Sequence, residues 1–226
     1  MGRWIDISMA VPDGLRTNTS RPGEEVRITY DVKPSDDPPK AKTVRRVSAR
    51  LHVGTHVDGP EHMVRGAARI DQLPIESFTG RAWVGDMYDK VPRGVITARD
   101  LERAVGAKVR PGDSVILRTG WNAHYADADF FTDSPVFDPA AADWFIERAV
   151  KIVAVDFLCD PIPKVPGPHH GPDDPFKTRT LGAGVLVLTN ADNLDRIAKD
   201  PVTLYAFPLK LIPSESGLTR AVVWEE

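Results

Sequence analysis

The chain has 226 residues and a single cysteine, Cys159. One thiol excludes an intramolecular disulfide and any cysteine-rich zinc module. It also suits a reducing compartment, so a cytoplasmic location is the expectation. Nowhere do about 18 uninterrupted apolar residues occur, and the opening MGRWIDISMAVPDG lacks the basic stretch and apolar run of an export signal, so neither a membrane span nor export is expected. An excess of one charge is missing too: 29 Lys and Arg face 32 Asp and Glu. That balance sets up no field to draw nucleic acid or an anionic membrane surface, and leaves a small molecule as the expected partner. Histidine is scarce at six residues. Three of the six, however, fall within LHVGTHVDGPEHM, residues 51–63.

Apolar residues are not lacking. At 42% hydrophobic, the chain is long enough for one domain over residues 1–226 that buries roughly 70% of its unfolded surface. β-type runs recur at residues 4–11, 26–32, 44–57, 82–87, 114–118, 152–155, 185–189 and 220–224. Helices are fewer. Thr97 and Asp100 form a capping-box pattern ahead of Leu101, with Gly106 as a stop. Asp138-Pro139 opens a second helix over 140–150, which runs into the strand IVAV. This passage from helix to strand predicts a mixed α/β layer structure. The 20 prolines and 17 glycines gather between these runs, notably in 33–40 and 160–175, which read as long loops.

Sorted by parity, residues 48–58 place Ala49, Leu51, Val53, Thr55 and Val57 on one face and His52, Gly54, His56 and Asp58 on the other. The period of two predicts a strand. His52, His56 and Asp58 then project from one side, with Gly54 leaving the space between the imidazoles empty. A helix could also pair histidines four apart, but the valines, Gly54 and the Gly59-Pro60 break oppose it. Beyond Pro60 the chain turns, bringing His62 within reach of the cluster. Two neutral imidazoles and a carboxylate suit a borderline divalent ion such as Zn²⁺, Mn²⁺ or Fe²⁺ with positions open to water and substrate. Such an ion lowers the pKa of water toward about 7, which points to hydrolysis.

At these residues the chain resembles the metal-dependent cyclase family, which includes bacterial kynurenine formamidases, isatin hydrolases and certain polyketide ring cyclases. The family signature is H-x-G-T-H-x-D-x-P-x-H, and His52, Gly54, Thr55, His56, Asp58, Pro60 and His62 match each fixed position. WIDIS, GAARIDQLPIESFTG, SVILRTGW, IVAVD and PLKLIPSESGLTRAV extend the resemblance over nearly the whole chain. It implies a swivelling β/β/α domain with a mixed β-sheet core and few helices, assembled as a homodimer or homotetramer. It also implies that His52, His56 and Asp58 are metal ligands and that His62 is the catalytic proton shuttle. Two-metal members carry a further histidine and, twelve residues later, a glutamate; here Lys177 and Thr189 occupy those positions. The resemblance therefore implies one divalent ion, Zn²⁺ or Mn²⁺, and leaves two readings of Lys177: a charge for an oxyanion or a substrate carboxylate where the second ion would sit, or a solvated surface lysine.

Further candidates for contact with substrate or metal are His169 and His170 in the proline-rich loop, Thr189, and Trp121 with His124 nearby. Glu61 reads as a solvated acid and Cys159 as a small buried side chain. The leading function is hydrolysis of an amide, formamide, lactam or lactone bond in a small cyclic or aromatic substrate. The alternatives are a polyketide-type cyclase or lyase in which the metal stabilises an enolate, and a non-catalytic binding protein on the same scaffold.

Overall fold

Four parallel strands form the middle of the sheet: β5 (Thr79–Asp86), β7 (Ser114–Arg118), β9 (Ile152–Val155) and β10 (Leu186–Thr189). The computed structural model describes residues 1–15, 25–32, 42–159 and 174–226. Antiparallel strands widen the sheet on both sides. Beyond β5 lie β11 (Val202–Tyr205), β13 (Val222–Glu225) and β1 (Arg3–Asp6); beyond β10 lie β4 (His56–Asp58) and β12 (Ser216–Leu218). That makes nine strands in one mixed sheet among the described residues. Outside it, β2 (Arg27–Val32) and β3 (Val44–Ser48) form an antiparallel ribbon, and β6 (Val95–Ile96) pairs with β8 (Val136–Phe137). The sheet is curled: Ser8, past the end of β1, bridges to Ala191, just past β10.

Period-two burial explains the two cores. Val115, Leu117, Val153, Val155 and Val187 face the helices, while Ile116, Ala154, Leu186 and Leu188 face into the curl with Ile5, Val57 and Val223. Strands buried on both faces read as unbroken apolar runs, which is why SVILR, IVAV and LVLT stand out in the sequence. Helix α1 (Ala98–Leu101) continues as a wider turn to Gly106, and its cap is the one the sequence announces: Thr97 Oγ1 accepts the Asp100 N–H, and Asp100 accepts the Thr97 N–H. Helix α2 (Ala141–Glu147) stops short of the expected residue 150, because the chain turns left-handed at Ala149, φ 47°.

Helix α3 (Pro175–Gly182) has no counterpart among the predicted helices. Pro175, which reads as the end of a loop, is its first residue, and Asp174 caps it by accepting the Lys177 N–H at 3.0 Å. Proline at the first helical position loses no hydrogen bond, so a loop signal and a helix start coincide. Among the described residues no helix is long and apolar enough to cross a membrane.

The single strand expected over 44–57 is corrected. β3 ends at Ser48, β4 begins at His56, and the chain between them loops. Gly54 sits at φ +57°, and a Cβ there would lie 2.6 Å from Val11 Cγ2, so the loop turns left-handed at this residue just ahead of β4. Val53 packs with Leu15 and Val26 in a small satellite core and not on a sheet face. Parity therefore holds for His56 and Asp58 but not for His52. The expected strand 4–11 is shortened as well: Asp6 Oδ1 takes the Ser8 N–H just after β1 ends.

Past β9, the buried Asp156 carboxylate accepts the N–H groups of Thr119 and Gly120 and the Thr119 hydroxyl, tying the ends of β7 and β9 together. Burial pushes its pKa up to about 6 against these hydrogen bonds. A carboxyl whose folded pKa exceeds its unfolded value of about 3.9 stabilises fully below that value and loses the contribution as pH rises through the folded pKa. A gap of about two pH units corresponds to about 3 kcal/mol. The difference in unfolding free energy between wild type and Asp156→Asn, from urea denaturation, is therefore expected to change by up to about 3 kcal/mol between pH 4 and 7, whatever its offset. A difference independent of pH would refute it.

Candidate metal centre

β4 is the frame of the site. Its three residues are all buried, and it is paired on both sides: His56 stands opposite Thr189 and Leu218, and Asp58 opposite Val187 and Ser216. Cross-strand partners share a face, so His56 and Asp58 point toward the helix layer while Val57 points into the curl. His52 reaches the same place from the preceding loop. One nitrogen of each imidazole and one Asp58 oxygen lie within 4.8 Å of one another, and this is the cluster among the described residues with the donors to hold a metal ion.

Hydrogen bonds outside the cluster aim its lone pairs inward. His56 Nδ1 is 2.9 Å from the Gly54 carbonyl, to which it donates, leaving Nε2 to face Asp58 Oδ1 at 3.4 Å. Asn190 Nδ2 donates to the same carbonyl at 3.2 Å, and Thr55 Oγ1 donates to the Asn190 carbonyl while accepting the Met9 N–H. His52 presents Nδ1 to Asp58 Oδ1 at 2.9 Å and Nε2 to Glu215 Oε1 at 3.1 Å. A histidine whose distal nitrogen is held by a carbonyl or carboxylate has the tautomer and orientation of a metal ligand.

Lys177, in the first turn of α3, lies in this cluster. Its Nζ is 2.8 Å from Asp58 Oδ2, with both side chains fully buried. The other oxygen, Oδ1, is sealed from solvent and accepts no well-directed hydrogen bond, although two imidazole nitrogens stand close by. Burial opposes a charge on Asp58, yet Lys177 and the two imidazoles hold its carboxyl well below the usual range. Burial pushes His56 down to about 4, which keeps it neutral at neutral pH. For His52, burial is outweighed by the adjacent Asp58 carboxylate, and its pKa is raised. An anionic oxygen without a hydrogen bond beside imidazole nitrogens fits a divalent cation, and the N,N,O donor set suits a borderline metal.

The remaining predicted residues are placed as follows. His62 ends a single 3-10 turn (Pro60–His62), its ring centroid 4.3 Å from that of His52, at the edge of the three-donor cluster. Thr189 Oγ1 lies 3.1 Å from His56 Nε2 and 3.2 Å from Nδ1. Trp121 is not brought to the cluster: it is buried in the helix-side core, donates Nε1–H to the Phe130 carbonyl at 3.1 Å, stacks on Phe130 and packs at a tilt against His124. Cys159 is buried at the end of the same core, and Glu61 is half-buried. His169 and His170 lie outside the described residues. Glu215, Ser216 and Asn190 were not among the predicted residues. Glu215 and Ser216 sit in PSESG, where nothing local distinguishes a site carboxylate from a solvated one, and only the pairing of β12 with β4 brings them in.

The fold and site together describe a curled mixed-sheet protein with a candidate metal centre on β4 and the loop before it. A family model described as "Putative cyclase" matches residues 5–159, and the chain belongs to this cyclase family. Kynurenine formamidase from Bacillus cereus is 25% identical over 227 residues, which cover 97% of this chain and 96% of the relative. Isatin hydrolase A from Labrenzia aggregata, solved with benzyl benzoate bound, has a TM-score of 0.83 at 22% identity, covering 99% of this chain and 94% of that one. The isatin hydrolase A of Ralstonia solanacearum has a TM-score of 0.82 at 21% identity, covering 100% and 92%. These structural likenesses bear on the fold, which is shared along the whole chain.

Proposed function

We propose that the chain is a metal-dependent hydrolase of an amide, formamide, lactam or lactone bond in a small cyclic or aromatic substrate, and that His52, His56 and Asp58 hold one Zn²⁺ or Mn²⁺. The observation that carries this reading is Asp58: one oxygen is paired with Lys177 and the other, buried without a hydrogen bond, is turned to two imidazoles. The similarity to a kynurenine formamidase over the length of both chains supports the hydrolytic reading. When bound, a divalent ion polarises a carbonyl and lowers the pKa of water toward about 7.

The protein's own groups do the rest. His62, beside His52 and outside the donor set, takes the proton of the attacking water and returns it to the departing nitrogen or oxygen. Lys177 holds Asp58 in its charged form and orients it, so that a single oxygen is offered to the ion. Its buried ammonium also repels a second cation, and Thr189 puts a neutral hydroxyl where a second carboxylate would be needed. Zinc or manganese titrated into metal-free protein, quantified by elemental analysis, is expected to plateau at one equivalent. The loaded protein is expected to cleave an aryl formamide or a benzo-fused lactam, and chelation to abolish that turnover. A plateau at two ions refutes the role given to Lys177, and turnover insensitive to chelation refutes the hydrolase reading.

The reading includes a homodimer or homotetramer, supported by the exposed Phe207, Leu209, Leu211 and Ile212 on one short segment, and light scattering in solution tests it. It also includes a cytoplasmic location, supported by the single, buried cysteine.

A further inference from the structure

His52 has two competing sets of partners. In one tautomer Nε2 carries the proton and donates it to Glu215 Oε1 at 3.1 Å, leaving Nδ1 as a bare lone pair facing Asp58. In the other, Nδ1 carries the proton toward Asp58, and Nε2 accepts from the buried Ser216 hydroxyl at 3.3 Å. The second arrangement closes the site to a cation, because the nitrogen nearest Asp58 is then a donor. Its geometry is also poor: despite the 2.9 Å separation, Asp58 Oδ1 receives no well-directed hydrogen bond. The first arrangement needs an acceptor at Nε2, and Glu215 is that acceptor.

We propose that Glu215 is a positioning residue for the metal centre: its carboxylate takes the Nε2 proton of His52, and so turns the Nδ1 lone pair toward the ion. The inference rests on the metal reading of the preceding section and adds a residue to it. The backbone at 215 is well placed for this task. The Gly59 N–H, one residue beyond the ligand Asp58, donates to the Glu215 carbonyl at 2.9 Å, and Ser216 is the cross-strand partner of Asp58. A Cβ on Gly59 would lie 3.2 Å from that carbonyl oxygen, so the glycine admits the close approach. On the other side, Ser214 accepts the Ile70 N–H on its carbonyl and donates its own N–H to Asp71. The carboxylate therefore springs from a segment tied to the ligand strand, the condition for a support that keeps a ligand within a fraction of an ångström of its working position. A carboxylate acceptor also raises the basicity of the ligand nitrogen, and loss of such a partner weakens metal binding by about 10- to 100-fold.

Two measurements on the full chain test this. The first reads the His52 ring by long-range ¹H–¹⁵N correlation in metal-free protein, at a pH where the ring is neutral. The expected result is an Nε2-protonated His52 in wild type and in Glu215→Gln, whose side-chain oxygen still accepts, and a shift toward the Nδ1-protonated form in Glu215→Ala. The second measures Zn²⁺ affinity by competition with a chromogenic chelator, without reference to turnover. Glu215→Ala is expected to bind about 10- to 100-fold more weakly than wild type, with Glu215→Gln between the two. The Glu215 side chain is 39% exposed, so neither variant disturbs a packed core. An Nδ1-protonated ring in wild type, or wild-type tautomer and affinity in Glu215→Ala, overturns the role of Glu215 while the metal centre stands. A wild-type chain that binds no Zn²⁺ overturns the metal centre, whichever tautomer the spectrum shows.

Discussion

His56→Ala and His52→Ala are each expected to purify with little bound transition metal and to show no hydrolysis above background. Three donors is the smallest set that holds a catalytic divalent ion while leaving positions for water and substrate, so removing one leaves a pair that cannot retain it. His56 is the more severe loss because its ring is buried and locked by the Gly54 carbonyl. His52→Ala is the cleaner experiment: the His52 side chain is 24% exposed and comes from a loop, so the fold survives its removal. Asp58 is a poor choice for the same test, since its removal would strand the buried Lys177 ammonium, and breaking a buried ion pair costs about 3–5 kcal/mol of stability. Elemental analysis of the purified variants, with thermal unfolding as a control for folding, gives the answer. Metal content equal to wild type in both would remove the site.

His62→Ala should behave differently. His62 follows the Gly59-Pro60 turn and packs its ring against that of His52, outside the three-donor group, so the three donors survive its loss. The variant is expected to keep its metal and to lose about 10²- to 10⁴-fold in kcat, the usual contribution of a positioned acid/base. KM should change little, because the lost group acts on the proton in flight and not on the bound ground state. Metal quantification alongside steady-state kinetics separates the possibilities. Loss of metal would make His62 a ligand, and an unchanged kcat would move the acid/base role to another group.

Local chemistry was legible wherever it is written within a few residues. The Thr97–Asp100 capping box and the Gly106 stop form as read, and the apolar runs of β7, β9 and β10 became the central strands. The strand over 44–57 failed because alternation does not report where pairing stops: β3 ends at Ser48, Gly54 turns left-handed ahead of β4, and Val53 is buried for another reason, in the satellite core. Helix α3 was missed because its capping aspartate and first-turn proline follow a proline-rich stretch that looks the same with or without a helix after it.

Residue identity and spacing alone determined that His52, His56 and Asp58 belong together with His62 close by; that Lys177 and Thr189 stand apart from a two-metal pattern came from the resemblance to the cyclase family. Identity and spacing also determined a mixed α/β architecture, since both are carried by short motifs and by periodicities of two and 3.6. Tertiary structure decided what those residues do to one another. Lys177 and Asp58 are 119 positions apart, and only the packing of α3 against β10 and the Pro60–His62 turn puts the ammonium on one carboxylate oxygen and leaves the other to the imidazoles. His52 and Glu215 are 163 apart and meet because β12 pairs with β4. Hydrogen bonds and ion pairs act over about 3 Å, and which groups come that close across a sheet is set by strand order and register. A single sequence does not encode these in any local pattern.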